Sequence, residues 1–319
     1  MCPRTNPALV AAAIVLAASA AGRPRAQSLT YSSGQNVSPG FEGWEQNADG
    51  SYDFLFGYMN RNWEEELDVP VGPDNSVEPG GPDQGQPTHF LPRRNRFIFK
   101  VRVPKDWGTK EMIWTLTTQG KTEKAYATLR LDSMVDDVVK ASETGALGAG
   151  TSSPEVRANK APVVRLEGAR QRTVRVGEPL PLVAYVTDDG VPKQRSIGLD
   201  QTSAAVRREE AEGRRVTNPM MVPPRQATVG KRVGLHLSWF VYRGAGRVSF
   251  DPPQIKVWED TRTGSYSPWA PLFSVPPPPK DGKWVARAAF DEPGTYVLRA
   301  RADDGALTTD EEITVIVLR

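Results

Sequence analysis

Acidic side chains are concentrated in two parts of this 319-residue chain where they could bind calcium, which takes roughly six to eight oxygen ligands. One is the loop 63–86, with seven carboxylates and no lysine or arginine. The other is a pair of Asp-Asp-Gly sequences, 188–190 and 303–305, which could share a cation at one end of a domain. A simpler interpretation is a solvated loop neutralised by Arg94 and its neighbouring arginines, and turns shaped by Asp and Gly. We therefore predict no cofactor and keep calcium as the alternative.

The two histidines, His89 and His236, are not part of any recognisable catalytic or metal-binding motif. The chain contains neither Gly-x-Ser-x-Gly nor His-Glu-x-x-His. His236 stands between Leu235 and Leu237 in a period-two pattern, so we expect it on the outer face of a strand, at the surface or half-buried. No enzyme activity is predicted. An enzyme with an unrecognised site stays an alternative, because a pair of catalytic carboxylates leaves no sequence signature.

Tryptophan is frequent, with eight residues, and three of them are the candidate ligand-binding residues: Trp63, Trp258 and Trp269. Tryptophan in a loop can stack on a sugar ring or anchor a partner protein. Two of the three lie in the segment 256–284, whose run of prolines favours polyproline II geometry. The alternative is that these side chains fold over the domains and close their open ends.

The charge balance argues against nucleic-acid binding. The chain has 40 Lys and Arg against 38 Asp and Glu, a net charge of +2, which gives no field that would attract a polyanion. One local excess occurs in 193–232, with nine basic and four acidic residues. This segment predicts either an anionic partner or a solvated, partly disordered loop.

The N-terminal segment 1–26 is typical of a secretory signal peptide. An apolar run at 8–21 is too short to span a bilayer and is followed by small residues. We therefore expect a secreted or periplasmic protein without a transmembrane segment. The single cysteine, Cys2, would leave with the signal, so no disulfide is expected. Residues 27–37 are expected to be flexible.

Period-two patterns predict an antiparallel β domain over residues 38–134. Asp49-Gly50 is a hairpin turn signal, and the aromatic residues that follow alternate with others along 52–58. The segment 97–103 also alternates, and places Phe97 and Phe99 on one face. We read 135–160 as a linker with at most a short helical turn.

A second β domain is predicted over residues 161–319, with a long insertion at 191–232. Its most informative segment is 290–305, FDEPGTYVLRARADDG. There the alternation points Tyr296, Leu298, Ala300 and Ala302 inward. The intervening arginines, Arg299 and Arg301, are predicted to face solvent.

The spacing Gly-x-Tyr-x-Leu at 294–298 matches the tyrosine corner of immunoglobulin-like sandwiches, in which a buried tyrosine of strand F bonds to nearby backbone. Leu298 then stands where antibody domains have their second cysteine, and Trp239 where they have the tryptophan of strand C. The stretches 293–317 and 238–246 resemble the polycystic-kidney-disease (PKD) type and related immunoglobulin-like domains of exported bacterial proteins. The resemblance covers the second domain and implies a fold, not an activity.

The sequence as a whole predicts an all-β protein with two immunoglobulin-like antiparallel β-sandwich domains, long loops and an N-terminal signal peptide. The function that fits is a non-catalytic secreted or periplasmic module of the cell envelope, structural or binding a protein or glycan. One alternative is a carbohydrate-binding accessory protein that uses the loop tryptophans. The other is the unrecognised enzyme.

Overall fold

A computed structural model describes residues 31–144, 154–192, 231–232, 234–262, 265 and 273–319. These residues belong to one compact unit, Tyr31–Arg319. The predicted signal peptide, most of the 191–232 insertion and Trp269 lie outside the described residues. The proposed domain limits stay a prediction.

The first half of the described chain is an antiparallel β-sandwich. One sheet has the order β1-β2-β6, the other has the order β4-β7-β8, and β3 pairs with β5. Its strands are β1 (Val37–Gln46), β2 (Tyr52–Asn60), β3 (Leu67–Asp68), β4 (Asn75–Glu78), β5 (His89–Phe90), β6 (Arg93–Val103), β7 (Met112–Thr118) and β8 (Lys121–Ala127). The predicted hairpin at Asp49-Gly50 is confirmed as the β1–β2 connection, and a second hairpin at Gly120 joins β7 to β8.

A β-bulge in β6, in which three residues lie opposite one, changes the predicted alternation. Phe56 of β2 pairs with Phe99, and Tyr58 pairs with Asn95, so residues 96–98 all lie opposite Gly57. Phe97 has a φ of 50°, and it is Ile98, only 2% exposed, that enters the core. The prediction that Phe97 shares a face with Phe99 is therefore wrong, because the extra residues shift the phase of the strand.

Glycine at position 57 is what allows this bulge to lie close to β2. A Cβ there would be 2.2 Å from Glu42 Oε1 and 2.5 Å from the Asn95 carbonyl oxygen. Those separations are far inside van der Waals contact, so a larger residue would push the bulge away from the sheet.

The second half forms a sandwich with immunoglobulin-like strand order. Its strands are β9 (Val163–Leu166), β10 (Gln171–Arg175), β11 (Leu180–Thr187), β12 (Lys231–Arg232), β13 (His236–Arg243), β14 (Val248–Asp251), β15 (Phe273–Ser274), β16 (Lys283–Phe290), β17 (Gly294–Asp303) and β18 (Thr308–Leu318). One sheet has the order β9-β11-β16-β14, which corresponds to A-B-E-D. The other has the order β13-β17-β18-β10, which corresponds to C-F-G with β10 added in parallel to β18.

The predicted tyrosine corner is confirmed. Tyr296 is fully buried, and its hydroxyl donates to the Glu292 carbonyl oxygen over 3.0 Å. Trp239 of β13 lies opposite Ala300 of β17 and is 2% exposed. Leu298 is fully buried in the same core. The apolar face that the sequence assigns to β17 is thus the centre of the second core.

The segment between the sandwiches contains more helix than predicted. A 3-10 turn, Leu131–Ser133, precedes α1 (Asp137–Thr144) and α2 (Pro154–Ala158). The Asp136 carboxylate accepts a hydrogen bond from the Val139 amide over 2.8 Å and so caps the start of α1. Ala141 is buried against Ala306 and Leu307, which ties α1 to the turn after β17. Among the described residues, the helices are all too short or too polar to cross a bilayer.

Candidate functional site

Arg299 and Arg301 of β17 lie between the two sandwiches, so the prediction that they face solvent is wrong. They are only 6% and 2% exposed. The alternation was assigned correctly, since both point away from the core that contains Leu298. The first sandwich covers the face of the sheet to which they project. We call this contact region the junction.

Each junction arginine is paired with a carboxylate directly across the strand pair. Arg301 lies opposite Asp310 and holds it with two bonds, Nε to Oδ1 and Nη2 to Oδ2, both 2.7 Å long. Arg299 lies opposite Glu312 and donates to its Oε1 from Nε at 2.9 Å and from Nη2 at 2.5 Å. Burial alone would raise the pKa of Asp310, but Arg301 and Arg299 outweigh it and lower that pKa.

The first sandwich supplies backbone acceptors to the same arginines. Arg299 Nη1 donates to the Ile98 carbonyl oxygen, and Arg301 Nη2 approaches the Phe97 carbonyl oxygen at 3.5 Å. Both carbonyls belong to the bulge in β6, where residues 96–98 have no partner in the ladder. The bulge therefore leaves acceptors unused by the sheet, and the guanidinium groups satisfy them.

Aromatic rings enclose the guanidinium groups. Arg299 lies 3.4 Å from the centroid of Tyr242, and Arg301 lies 5.0 Å from the centroid of Trp258, within the range of cation–π attraction. Tyr242 and Phe240 come from β13 of the second sandwich, yet they pack into the core of the first. Water is thereby largely excluded from the two guanidinium groups, which strengthens their interactions, while the Asp310 and Glu312 side chains stay 25% and 43% exposed.

Further bonds surround this centre. Arg243 binds Asp83 of the acidic loop at 2.7 and 3.1 Å. The Thr88 amide donates to the Tyr242 carbonyl oxygen over 3.1 Å, and Trp258 Nε1 donates to Asn95 Oδ1 over 3.0 Å. The junction thus combines buried charge, aromatic packing and backbone bonding across one surface.

His89 provides a second contact for the acidic loop. Its Nδ1 lies 2.8 Å from Asp68 Oδ1, and its Nε2 lies 3.1 Å from Glu66 Oε2. Burial would lower the pKa of His89, but the two carboxylates raise it to about 9. Arg94, by contrast, pairs with Glu42 at 2.6 Å. The loop is therefore neutralised from positions other than Arg94, and calcium binding there stays the untested alternative.

The other histidine, His236, is buried, so the prediction of a surface or half-buried position is wrong. It is 6% exposed and meets the ring of Trp284 edge-on, with centroids 4.9 Å apart. Burial lowers the pKa of His236 to about 4, so it is neutral at physiological pH.

The candidate ligand-binding tryptophans are packed where the structure describes them. Trp63 is 7% exposed, with the Arg93 guanidinium 4.4 Å from its ring centroid. Trp258 is half-buried at the junction. Trp269 lies outside the described residues. A sugar could stack on Trp63 only if that side chain left its present position, whereas Trp258 keeps part of its surface exposed. Their role in ligand binding stays a prediction.

The two Asp-Asp-Gly turns do lie at the same end of the second sandwich. Asp188 and Asp304 line one cavity of 360 Å³, which we call the end cavity. Asp304 is 2% exposed, and its Oδ1 accepts bonds from the amides of Ala306 and Leu307 at 2.6 and 2.7 Å. Its Oδ2 accepts a bond from Asn159 Nδ2 at 3.0 Å. Burial raises the pKa of Asp304 to about 7 and also raises that of Asp188.

Metal-binding groups are more dispersed than the sequence suggests. Within the described ranges, no three His, Cys, Asp or Glu side chains come close enough to hold a metal ion together.

The junction was not predicted from the sequence, although the sequence contains a signal for it. Counting back from the turn at Gly305 places Arg301 opposite Asp310 and Arg299 opposite Glu312. Opposite charges at facing positions of an antiparallel pair stabilise it, so the sequence indicates two cross-strand ion pairs here.

The fold and the junction together define an all-β protein of two joined sandwiches, the second immunoglobulin-like. No family model matches the chain, and no curated protein matches it. Solved structures align at 7–10% identity. A chimeric titin Z1Z2 carrying a KLER peptide from decorin aligns at 10% identity over 89% of this chain and 99% of that one, with a TM-score of 0.22.

Two further structures align equally weakly. The S-layer protein rSbsC(31–844) aligns at 7% identity over 89% of this chain and 28% of that one, with a TM-score of 0.23. Sidekick-1 immunoglobulin domains 1–4 align at 9% identity over 88% and 48% of the respective chains, with a TM-score of 0.22. The fold assignment therefore rests on strand order and on the tyrosine corner.

Proposed function

We propose that this protein is a non-catalytic binding or structural module of the bacterial cell envelope, exported to the periplasm or beyond. In this role the two sandwiches act as one rigid body that holds its loops in fixed positions. The observation that carries the proposal is the junction, where Arg299 and Arg301 are buried in bonds to both sandwiches. A chain that needed independently moving domains would gain nothing from two arginines buried between them.

The state of the histidines supports a non-catalytic role. A general base near neutral pH must be unprotonated and within reach of a substrate proton. His89 is held between two carboxylates with its pKa raised to about 9, so it is protonated near neutral pH. His236 is neutral but buried against Trp284. Both fit structural positions in the sandwiches.

Rigidity can be measured as a distance distribution between two spin labels. Lys124 of β8 and Val163 of β9 are exposed, one on each sandwich, and can be changed to cysteine in a Cys2→Ser background. We expect a single narrow distribution from double electron–electron resonance. Adding Asp310→Ala should broaden it, whereas adding Asp251→Ala, an exposed carboxylate in a loose 3.9 Å ion pair, should not. A broad or multi-peaked distribution in the labelled parent would contradict the proposal.

Export is tested separately by cell fractionation and mass spectrometry of the mature chain. We expect a periplasmic or extracellular product that begins after Ala20, Ala21 or Ala26. An uncleaved chain retained in the cytoplasm would remove the cell-envelope part of the proposal and leave the rigid junction unaffected.

Carbohydrate binding through Trp63, Trp258 and Trp269 stays a rival prediction with its own test. Saturable binding to one polysaccharide that Trp269→Ala abolishes would favour it. If binding instead survives that change, or no polysaccharide in a broad panel binds, the loop tryptophans have no such role.

A further inference from the structure

We propose that the end cavity binds the cationic side chain of a lysine or arginine from a peptide segment of a partner protein. This inference deepens the proposed binding role and rests on it, but it depends on residues at the opposite strand ends from the tyrosine corner. The site is built from three observations: buried acceptor oxygens that lack a donor, an apolar wall, and a size that suits a side chain.

Two buried oxygens at this end lack a hydrogen-bond donor. Asp188 Oδ2 accepts the Gly190 amide over 2.8 Å, but Asp188 Oδ1 is buried without a partner. Asn159 is 8% exposed and uses Nδ2 to bond Asp304, while its Oδ1 is also buried without a partner. Because this oxygen belongs to the same carboxamide as the Nδ2 that bonds Asp304, it lies close to the Asp304 carboxylate. An ammonium or guanidinium group has several donors and could satisfy such acceptors.

Electrostatics favour a positive ligand. Asp188 and Asp304 line the end cavity, and the described lining residues include no lysine or arginine. Burial raises the pKa of both carboxyl groups, so each is destabilised as an anion in the unliganded protein. A cation placed between them would relieve that destabilisation.

The remaining walls are apolar. Leu235 and Val275 are half-buried in the lining, and Pro276, Pro277 and Pro278 form an exposed rim. A lysine or arginine carries its charge on an apolar stem, so the stem would pack on these walls while the head meets the carboxylates. Exposed prolines are also suited to contact an extended peptide, since they are already ordered.

An organic cation fits these walls better than a metal ion. Calcium requires roughly six to eight oxygens, and two carboxylates with one carboxamide oxygen fall short of that number. A cavity of 360 Å³ with a proline rim is also much larger than a bare ion needs. It lies instead at the lower end of the range for organic ligand sites, about 300 to 1,000 Å³.

The test is a titration of the full chain with blocked tripeptides, followed by the amide NMR signals of Gly190 and Gly305. The probes are acetyl-Gly-Lys-Gly-amide, its arginine analogue, and the neutral isostere acetyl-Gly-norleucine-Gly-amide. We expect saturable shifts with the first two and none with the third. Asp188→Asn and Asp304→Asn should each weaken binding about tenfold, the loss expected when a charged acceptor is removed. Asp251→Asn, an exposed carboxylate on β14, is the matched control and should change nothing.

Asparagine at position 304 keeps an oxygen to accept the Ala306 and Leu307 amides, so the turn is expected to survive. An unchanged melting temperature and unchanged signals elsewhere in the spectrum verify this for each variant. If Asp304→Asn nevertheless unfolds, Asp188→Asn carries the test alone.

Four results would overturn the inference. One is no saturable shift with either cationic peptide, and another is equal binding of the norleucine peptide. The third is binding of calcium chloride alone that both aspartate variants abolish, which would make this a metal site. The fourth is n-butylammonium binding as tightly as the lysine peptide, which would assign the cavity to free amines. Each leaves the spin-label distances at the junction unchanged, so failure here is distinguishable from failure of the rigid module.

Discussion

The core of the second sandwich and the junction are buried to similar degrees, yet they are stabilised by opposite kinds of side chain. Both are built from β17. One face of this strand places Leu298 and Ala300 in an apolar core, and the other places Arg299 and Arg301 against the first sandwich. Strand alternation therefore separates two environments here, but neither is solvent.

The two regions should respond differently to substitution. In the core, removing atoms leaves a void whose cost scales with its size. At the junction, removing one member of an ion pair leaves the other charge buried without compensation, while removing both restores balance. Pairs of variants can therefore distinguish the two kinds of packing.

The largest effect is expected from Asp310→Ala, which should lower the free energy of unfolding by about 3 to 5 kcal/mol in urea denaturation. The reason is that Arg301, 2% exposed, would lose both of its 2.7 Å bonds to Asp310. The double variant Arg301→Met/Asp310→Leu should recover most of the loss. A single variant within 1 kcal/mol of the parent, by the scale of exposed ion pairs, would mean that the junction charges are solvated.

In the core, Leu298→Ala should cost about 3 kcal/mol, because the side chain is fully buried and the sandwich can only partly close the void. Urea denaturation under the same conditions measures it. No second substitution of a neighbouring residue to alanine should restore stability, in contrast with the junction pair. Recovery by such a double variant would erase the distinction between the two regions.

His89 extends the comparison to a charged contact in the first sandwich alone. Its pKa is raised to about 9 in the fold against 6.5 when unperturbed, so its contribution is complete below pH 6.5 and is lost as pH rises through 9. We expect the free energy of unfolding to fall by at most about 3 to 4 kcal/mol across that interval. His89→Gln should flatten this part of the pH profile. A parent profile that is flat from pH 6.5 to 9 would show that Glu66 and Asp68 do not hold the charged ring.

The smallest effect is expected at the tyrosine corner. Tyr296→Phe keeps the ring in the core and removes only the 3.0 Å bond to the Glu292 carbonyl oxygen, so the loss should be about 1 kcal/mol. Thermal unfolding monitored by circular dichroism measures it. Gly244→Ala provides a steric comparison at the same ring, since a Cβ there would lie 2.4 Å from Tyr296 Cδ1. It should cost more than Tyr296→Phe, and the reverse order would be unexpected.

Much of the second sandwich could be predicted because its signals are local. The spacing around Tyr296 specifies a corner, and period-two alternation assigns Leu298 and Trp239 to the core. What covers the opposite face of β17 could not be predicted in this way. That depends on a bulge in β6 roughly two hundred residues away along the chain, and a bulge at Phe97 has no clear sequence signal.

The end cavity and α1 could be predicted from the sequence only in part. The two Asp-Asp-Gly sequences were recognised as turns, and that they converge on one cavity follows from their positions at the ends of β11 and β17. The sequence contains the cap of α1, since Asp136 stands three residues before Val139. The low helix propensity of the segment nevertheless argued against a helix there. Contacts with Ala306 then stabilise a helix that is too short to persist alone.

The parallel pairing of β10 with β18 has a mechanical consequence. These strands join over five residue pairs, Gln171–Thr314 to Arg175–Leu318. Tension that pulls β10 toward its N-terminal end and β18 toward its C-terminal end acts along both strands in opposite directions. The ladder is then loaded in shear, so its hydrogen bonds must break together rather than one after another. Stretching of the chain between β10 and β18 is therefore resisted along the whole five-residue ladder.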